Sequence, residues 1–295
     1  MKILLFGEFS GVHNNLKIGL KKNGHQVFLA NSGDNFKKLS NNLNTRPFND
    51  KGRILGKILN VIHIYLNIRK LIGYDVVQFS SAFALPSYFR LTGISYLIFR
   101  LNKKRIYYAC GTDIAFMRLR PKLKYFPFDE SNINEHPAYN NRILRKTYYY
   151  FISNMEKIIP ATYLYAMSYE GNPRLVDPIP MAHSGSLGNT IKPIEGKIKI
   201  LFGITRRGFK GADFILEALE NIRKKYSNRV EISLAEKLPL SEYMKLLDEC
   251  DVLIDQCKSY GYGMNAIFAM EKGKIVLSGA EKAALNFLQM PEAPV

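Results

Sequence analysis

Hydrophobic residues in the first half of the chain fall into short unbroken runs, separated by longer stretches in which apolar positions recur every three or four residues. Runs at 2–7, 25–30, 75–80 and 105–110 predict buried strands, and the stretches 12–23, 53–72 and 87–101 predict helices between them. Within 53–72 the apolar residues at 54, 55, 58, 59, 62, 65 and 66 follow a helical spacing. Gly24 is placed to end the first helix, where a left-handed residue is usually glycine. Strands alternating with helices predict a parallel sheet covered by helices.

The alternation pauses at 172–193, NPRLVDPIPMAHSGSLGNTIKP, which holds four of the 13 prolines and predicts an interdomain connection. Beyond it, strands are expected near 198–203, 230–234, 251–255 and 274–278. Helices are expected at 212–226, 241–250 and 264–272, the second capped by Ser241. At 295 residues the chain exceeds the usual size of one domain. The expected division is an α/β domain over 1–177, a linker over 178–193 and a second α/β domain over 194–295.

Charge adds a partner to this outline. Lys and Arg number 42 against 25 Asp and Glu, a formal excess of +17 that calls for an acidic partner. The basic residues are dispersed among apolar and aromatic ones, as in 53–70 and 140–157, which favours helices touching lipid headgroups over a nucleic-acid-binding arm. No apolar run is long enough to cross a bilayer, and the nearest, Ala82 to Phe99, contains Pro86 and Arg90. The three cysteines lack metal-ligand spacing and no secretory leader precedes them, so a cytoplasmic protein is expected, peripheral at the inner face of the cell membrane.

Two segments of the second half carry candidate chemistry. Residues 251–274, DVLIDQCKSYGYGMNAIFAMEKGK, read as a strand, a glycine-broken turn and a helix start. Gly261 and Gly263 would admit a ligand close to the backbone, and the amides of Met264 and Asn265 would point at a phosphate or a sugar hydroxyl. Upstream, Arg206, Arg207 and Lys210 sit in the turn before a predicted helix. A helix N-terminus disfavours cations unless an anion lies between, so this cluster points to a bound diphosphate, or else to a solvated basic turn.

Other candidates stand beside ordinary structural readings. GEFSGVHNN, 7–15, fails the Gly-x-Gly-x-x-Gly spacing, but His13 and Asn14 in it could contact a sugar. Asp113 follows a strand in CGTD and could orient an acceptor hydroxyl or simply shape a turn. Asp255 ends another strand, where ligands of open parallel sheets gather. Cys110 has no catalytic surroundings and reads as a buried thiol.

The segments GITRRGFKGADFILEAL and DVLIDQ…YGYGMNAIFAMEKGK resemble the second domain of nucleotide-sugar-dependent glycosyltransferases of the GT-B fold, of the glycosyltransferase family 4 type, as in bacterial surface-polysaccharide transferases. The resemblance implies two Rossmann-like domains facing a cleft, the first binding the acceptor and the second the nucleotide sugar. In that family an Arg and a Lys of the basic turn clamp the donor diphosphate. Lys210 matches the Lys, and Arg206 or Arg207 the Arg. Lys237 and Leu238 fall where the family holds the nucleobase. Two glutamates separated by seven residues would contact the sugar and the ribose, but Tyr260 and Phe268 stand at those positions and Glu271 falls three places late. The 102 residues after 193 hold fewer strands than the family's second domain, so that domain is expected to be incomplete.

The implied activity is retaining transfer of a sugar from a nucleotide diphosphate sugar to a hydroxyl of a glycan or lipid-linked saccharide. His13 and Asp113 are the candidate catalytic residues, and neither a metal nor another cofactor is expected, since no Asp-x-Asp pair is present. The alternatives are a related protein that binds nucleotide or glycan without turnover, and a sugar-nucleotide epimerase. Nucleic acid is not expected as a partner, because no recognition motif accompanies the charge.

Overall fold

The structure, a computed structural model, describes residues 1–124, 126–128, 141–185, 193–205 and 207–294. The chain divides into two compact units. The first comprises Met1–Asn35, Leu39–Arg118 and the described residues from 141 to Ser184; the second comprises Phe36–Lys38, the described residues from Leu119 to Phe128, and those from Gly185 onward.

In the first unit the chain runs β1 (Lys2–Phe6), α1 (Val12–Lys22), β2 (Gln26–Asn31), β3 (Leu43–Asn44), α2 (Leu55–Leu66), β4 (Val76–Phe79), α3 (Ser87–Leu91) and α4 (Ile94–Arg100). It continues through β5 (Lys104–Ala109), α5 (Ile114–Met117), α6 (Arg142–Ser153), β6 (Lys157–Pro160) and α7 (Tyr163–Ser168). The strands form one sheet in the order β3-β2-β1-β4-β5-β6, paired in parallel throughout, the strand order of a Rossmann sheet. Parallel strands covered on both faces must be apolar along their length, and Leu4, Leu5, Phe6, Leu29, Val77 and Phe79 are all fully buried. Helix α6 turns Thr147, Tyr148 and Phe151 inward. The Phe151 ring meets Phe79 at 5.2 Å and Tyr107 at 5.3 Å, both edge-on, an arrangement that adds to the burial term.

Two helices depart from the periodicity. The single helix expected over 87–101 is broken between α3 and α4, where Gly93 takes φ +80, a left-handed conformation that glycine adopts without a Cβ penalty. Helix α2 ends at Leu66, and Asn67 closes it by donating from its side chain to the His63 carbonyl at 2.9 Å. The inward face of α2 is Gly56, Asn60 and Ile64, and Gly56 is required because a Cβ there would lie 2.3 Å from the Phe48 carbonyl oxygen. Its apolar stripe is therefore turned outward, with Ile54 74% and Leu66 81% exposed.

The second unit runs β7 (Ile198–Ile204), α8 (Ala212–Lys225), β8 (Val230–Glu236), α9 (Leu240–Glu249), β9 (Val252–Ile254), α10 (Met264–Glu271), β10 (Ile275–Leu277) and α11 (Lys282–Phe287). Its sheet has the order β10-β9-β7-β8, again parallel. Ile200, Phe202 and Ile204 of β7 pack against Ala212, Ile215 and Leu219 of α8 to make its core. Ser241 does not cap α9. The helix begins at Leu240 after Pro239, whose fixed φ suits a helix entry, and Ser241 lies inside the first turn. Both units are Rossmann-like. No helix among the described residues is long and apolar enough to cross a membrane.

Candidate functional site

In an open parallel sheet the crevice for a ligand lies beyond the carboxyl ends of the strands, where the strand order reverses and successive connections leave on opposite faces. In the second unit that reversal falls between β7 and β9. The turn after β7, described at 205 and 207–211, and the loop after β9, 255–263, meet there.

Their contact is backbone to backbone. The Lys210 carbonyl accepts from the amides of Cys257 at 3.0 Å and Lys258 at 3.3 Å, while the Lys210 amide donates to the Pro127 carbonyl at 2.6 Å. Phe209 packs against Phe128 with ring centroids 4.6 Å apart and the planes tilted by 57°, fixing the other side of the turn. Lys210 itself is held at φ +61, an uncommon left-handed conformation for a non-glycine residue and one found disproportionately at functional sites. Gly211 follows at φ +80 and has no room for a side chain, since a Cβ would lie 2.3 Å from Cys257 Sγ.

This backbone brings a cation, a carboxylate and a helix terminus together. Lys210 Nζ lies 3.7 Å from Asp255 Oδ1, with the Lys210 side chain 32% exposed and that of Asp255 2%. That separation is too long for a hydrogen bond, so the ammonium keeps its donors available. Asp255 is instead satisfied by Asn265 Nδ2 at 3.2 Å and Ser278 Oγ at 2.9 Å, and Asn265 Oδ1 accepts from the Tyr243 hydroxyl at 2.7 Å. The Tyr243 ring crosses β7 above Gly203, where a Cβ would come within 3.0 Å of it. Burial raises the Tyr243 pKa, so the phenol stays protonated and donates. Gly263 precedes α10 without a side-chain cap, and the first intrahelical bond is made by the Ile267 amide to the Gly263 carbonyl. The amides of Met264, Asn265 and Ala266 are thus first-turn donors beside Lys210's loop. Such an assembly can bind an anion with hydroxyls attached, the ammonium and amides taking the charge and Asn265 the polar remainder.

The remaining sequence candidates of this unit are placed as follows. Arg206 lies outside the described residues. Arg207 turns to the end of β8, where its guanidinium is 3.6 Å from Glu236. Lys237, at φ +52 and exposed, and half-buried Leu238 form the link from β8 to α9. Phe268 is only 9% exposed, facing the core from α10 with Ala266 and Ala269. It shares the inward face of α10 with Met264, one helical turn earlier. Met264 is buried by the same phase and offers only its amide. Tyr260, at the other glutamate position, accepts the Lys124 amide on its hydroxyl at 2.9 Å. Tyr243 and Ser278 belong to the cluster without having carried a motif. The sole hint in the sequence was Gly203, whose missing side chain admits the tyrosine ring.

The two candidate catalytic residues of the first unit have structural partners. Asp113 is fully buried; it caps α5 by accepting the Phe116 amide on Oδ1 at 2.9 Å, and its Oδ2 accepts from the hydroxyls of Tyr107 at 2.8 Å and Tyr169 at 2.5 Å. Burial raises its pKa against these bonds, which lower it. His13 is also fully buried. Its Nδ1 lies 2.8 Å from the Gly7 carbonyl and so carries the proton, leaving Nε2 to accept from Gln78 Nε2 at 3.3 Å. Burial lowers its pKa and holds the ring neutral. Neither side chain reaches solvent as placed. Replacing Asp113 by Ala removes a cap and strands two buried hydroxyls, with an expected loss of about 2–4 kcal/mol of folding stability in urea titration.

Both units are represented in solved structures. Sucrose-phosphate synthase from Thermosynechococcus elongatus is 13% identical, with 99% of this chain and 84% of that one aligned at a TM-score of 0.52. The S. aureus MnaA–UDP co-structure is 12% identical over 94% of this chain and 78% of that one, at 0.50. UDP-GlcNAc 2-epimerase from Neisseria meningitidis, bound to UDP-GlcNAc, is 12% identical over 98% and 85%, at 0.46. No family model and no curated protein matches the sequence. At these identities the likeness is one of fold: the chain has the two-domain, Rossmann-like α/β architecture of GT-B proteins.

Proposed function

We propose that the protein is a retaining glycosyltransferase of the family 4 type that moves a sugar from a nucleotide diphosphate sugar to a hydroxyl of a glycan or lipid-linked saccharide, in the synthesis of a surface polysaccharide. The observation that carries this reading is Lys210 held beside the N-terminus of α10 at the point where the strand order of the second unit reverses. Of the fold neighbours described above, the MnaA structure is a UDP co-structure and another is a sucrose-phosphate synthase, which supports a nucleotide sugar as co-substrate. Breaking the bond from sugar to diphosphate places growing negative charge on the leaving oxygens. Lys210 and the first amides of α10 would stabilise that charge more in the transition state than in the ground state, without a metal. Arg206 or Arg207 would supply a second cation, and Lys237 with Leu238 would border the base. The retaining outcome follows from the family resemblance. The first unit would hold the acceptor, with His13 and Asp113 as positioning residues.

The outward stripe of α2, Ile54, Leu55, Ile58, Ile62 and Leu66, is flanked by exposed Arg53, Lys57, Arg69 and Lys70. An apolar face edged with cations fits an anionic lipid surface, so the protein is proposed to work at the cytoplasmic membrane face. Co-sedimentation with phosphatidylglycerol vesicles at low salt is expected, weakened at least fivefold by Ile58→Glu with Ile62→Glu; equal binding to phosphatidylcholine alone would contradict it.

A second reading, binding without turnover, is favoured by Tyr260 and the buried Phe268 at the two glutamate positions. Incubation with uridine, adenosine, guanosine and thymidine diphosphate sugars, with and without saccharide acceptors, separates the two. Acceptor-dependent release of nucleoside diphosphate supports transfer. Binding without product supports the second reading, and conversion of the donor to an epimer contradicts both.

A further inference from the structure

The strand order of the first unit reverses between β1 and β4, and a cavity of about 170 Å³ opens at the carboxyl ends of its strands. Gly7 and Glu8 line it from the end of β1, Ser32 and Asp34 from that of β2, Thr45 and Arg46 from β3, and Ser81 from β4. The volume is below the roughly 300–1,000 Å³ of a site that encloses a whole small molecule, and suits one end of a larger ligand.

Arg46 is the anomaly of this cavity. One guanidinium nitrogen, Nη2, donates to Ser32 Oγ at 2.9 Å, and the buried Nε has no hydrogen-bond partner. Among the described residues no carboxylate lies within ion-pairing distance of it. The two acids of the cavity are engaged by amides. Glu8 Oε1 accepts the Phe9 and His13 amides at 2.8 and 3.1 Å, and its Oε2 accepts the amide and side chain of Asn14 at 2.9 and 2.6 Å, at the start of α1. Asp34 Oδ2 accepts the Ser10 amide at 2.9 Å. Tyr88 is the other titratable group near the guanidinium, and burial lowers the Arg46 pKa. A guanidinium does not give up its proton in a protein. A charge in such surroundings is costly unless an anion joins it, and its planar fork matches a carboxylate or phosphate.

We propose that the Arg46 cavity holds the anionic group, a carboxylate or a phosphate, of the saccharide that accepts the transferred sugar. The identity of the ligand as acceptor rests on the transferase reading; the anion site itself does not. Ser32, Thr45 and Ser81 supply hydroxyls around the charged end.

The test is binding of glucuronate, glucose 6-phosphate, inorganic phosphate and neutral glucose to the full chain, followed by NMR in the absence of nucleotide. Saturable binding of at least one charged sugar is expected, at least tenfold tighter than glucose and tighter than inorganic phosphate, and the preferred one names the group. Arg46→Met should weaken it at least tenfold, whereas Lys210→Ala should leave it unchanged. Should Arg46→Met fail to fold, high salt takes its place: it should weaken the charged sugar severalfold and leave glucose unaffected. Equal binding of glucose, equal binding of inorganic phosphate, insensitivity to Arg46→Met or to salt, or no binding at all would overturn the proposal. Failure of turnover with this binding intact would instead count against the transferase reading alone.

Discussion

Replacing Lys210 by Ala is expected to lower sugar transfer by roughly two to three orders of magnitude in kcat/KM, the usual cost of removing one preorganised donor from a developing negative charge. The ammonium is 3.7 Å from Asp255 and makes no closer polar contact among the described residues, so its charge is available to a ligand. Its backbone is tied on both sides, through Pro127 on one and through Cys257 and Lys258 on the other. A preorganised charge of this kind acts at the transition state without first reorganising, and the loss should fall on kcat as well as on KM. Lys210→Arg should recover little, because a planar fork on a longer stem does not place its charge where the ammonium is. Steady-state kinetics of the two variants check this. A loss confined to KM would mean that Lys210 binds ground state and transition state equally.

Replacing Gly279 by Ala is expected to destabilise the second unit by about 2–4 kcal/mol and to remove nucleotide binding with it. A Cβ at this position would lie 2.1 Å from the Ser259 carbonyl oxygen, 2.9 Å from its carbon and 3.1 Å from the Gly261 carbonyl oxygen. All three are backbone atoms of the loop that follows β9, so relief requires that loop to move. The same loop accompanies Lys210 through Cys257 and Lys258 and ends at Gly263, so its displacement would separate the cation from the α10 amides. Gly19→Ala is the contrasting substitution, since nothing lies within 4 Å of a Cβ there and a helix-interior glycine favours unfolding by roughly 0.5–1 kcal/mol. Urea unfolding should thus show opposite shifts, a lowered midpoint for Gly279→Ala and a raised one for Gly19→Ala.

Most of the sheet architecture was legible because buried parallel strands are unbroken apolar runs, and those at 2–6, 26–31, 76–79 and 198–204 stand out from their surroundings. Strands β3 and β6 carried no such signal. The first is two residues long, and the second, KIIP, ends in a proline that only an edge strand tolerates. The orientation of α2 was hidden for a different reason. Periodicity locates an apolar stripe but does not say whether it faces the sheet, and here the close approach of Phe48 at Gly56 decides the phase.

The candidate site was readable where backbone chemistry defines it. Glycines at 261 and 263 and the cation at 210 mark the turns of the second unit without knowledge of partners. Asp113 was not readable, because its role depends on Tyr107 and on Tyr169, 56 residues away, whose hydroxyls close around it. Arg46 was hidden too. Its significance comes from what the ends of four strands place around it.

A diphosphate site built on Lys210 and the N-terminus of α10 should show itself in calorimetric titration of the protein with uridine, adenosine, guanosine and thymidine diphosphates. One diphosphate is expected to bind with a one-to-one stoichiometry, and Lys210→Ala should weaken it at least thirtyfold while leaving the unfolding midpoint of the free protein in place. Equal affinity in the variant, or no heat with any of the four nucleotides, would rule out such a site.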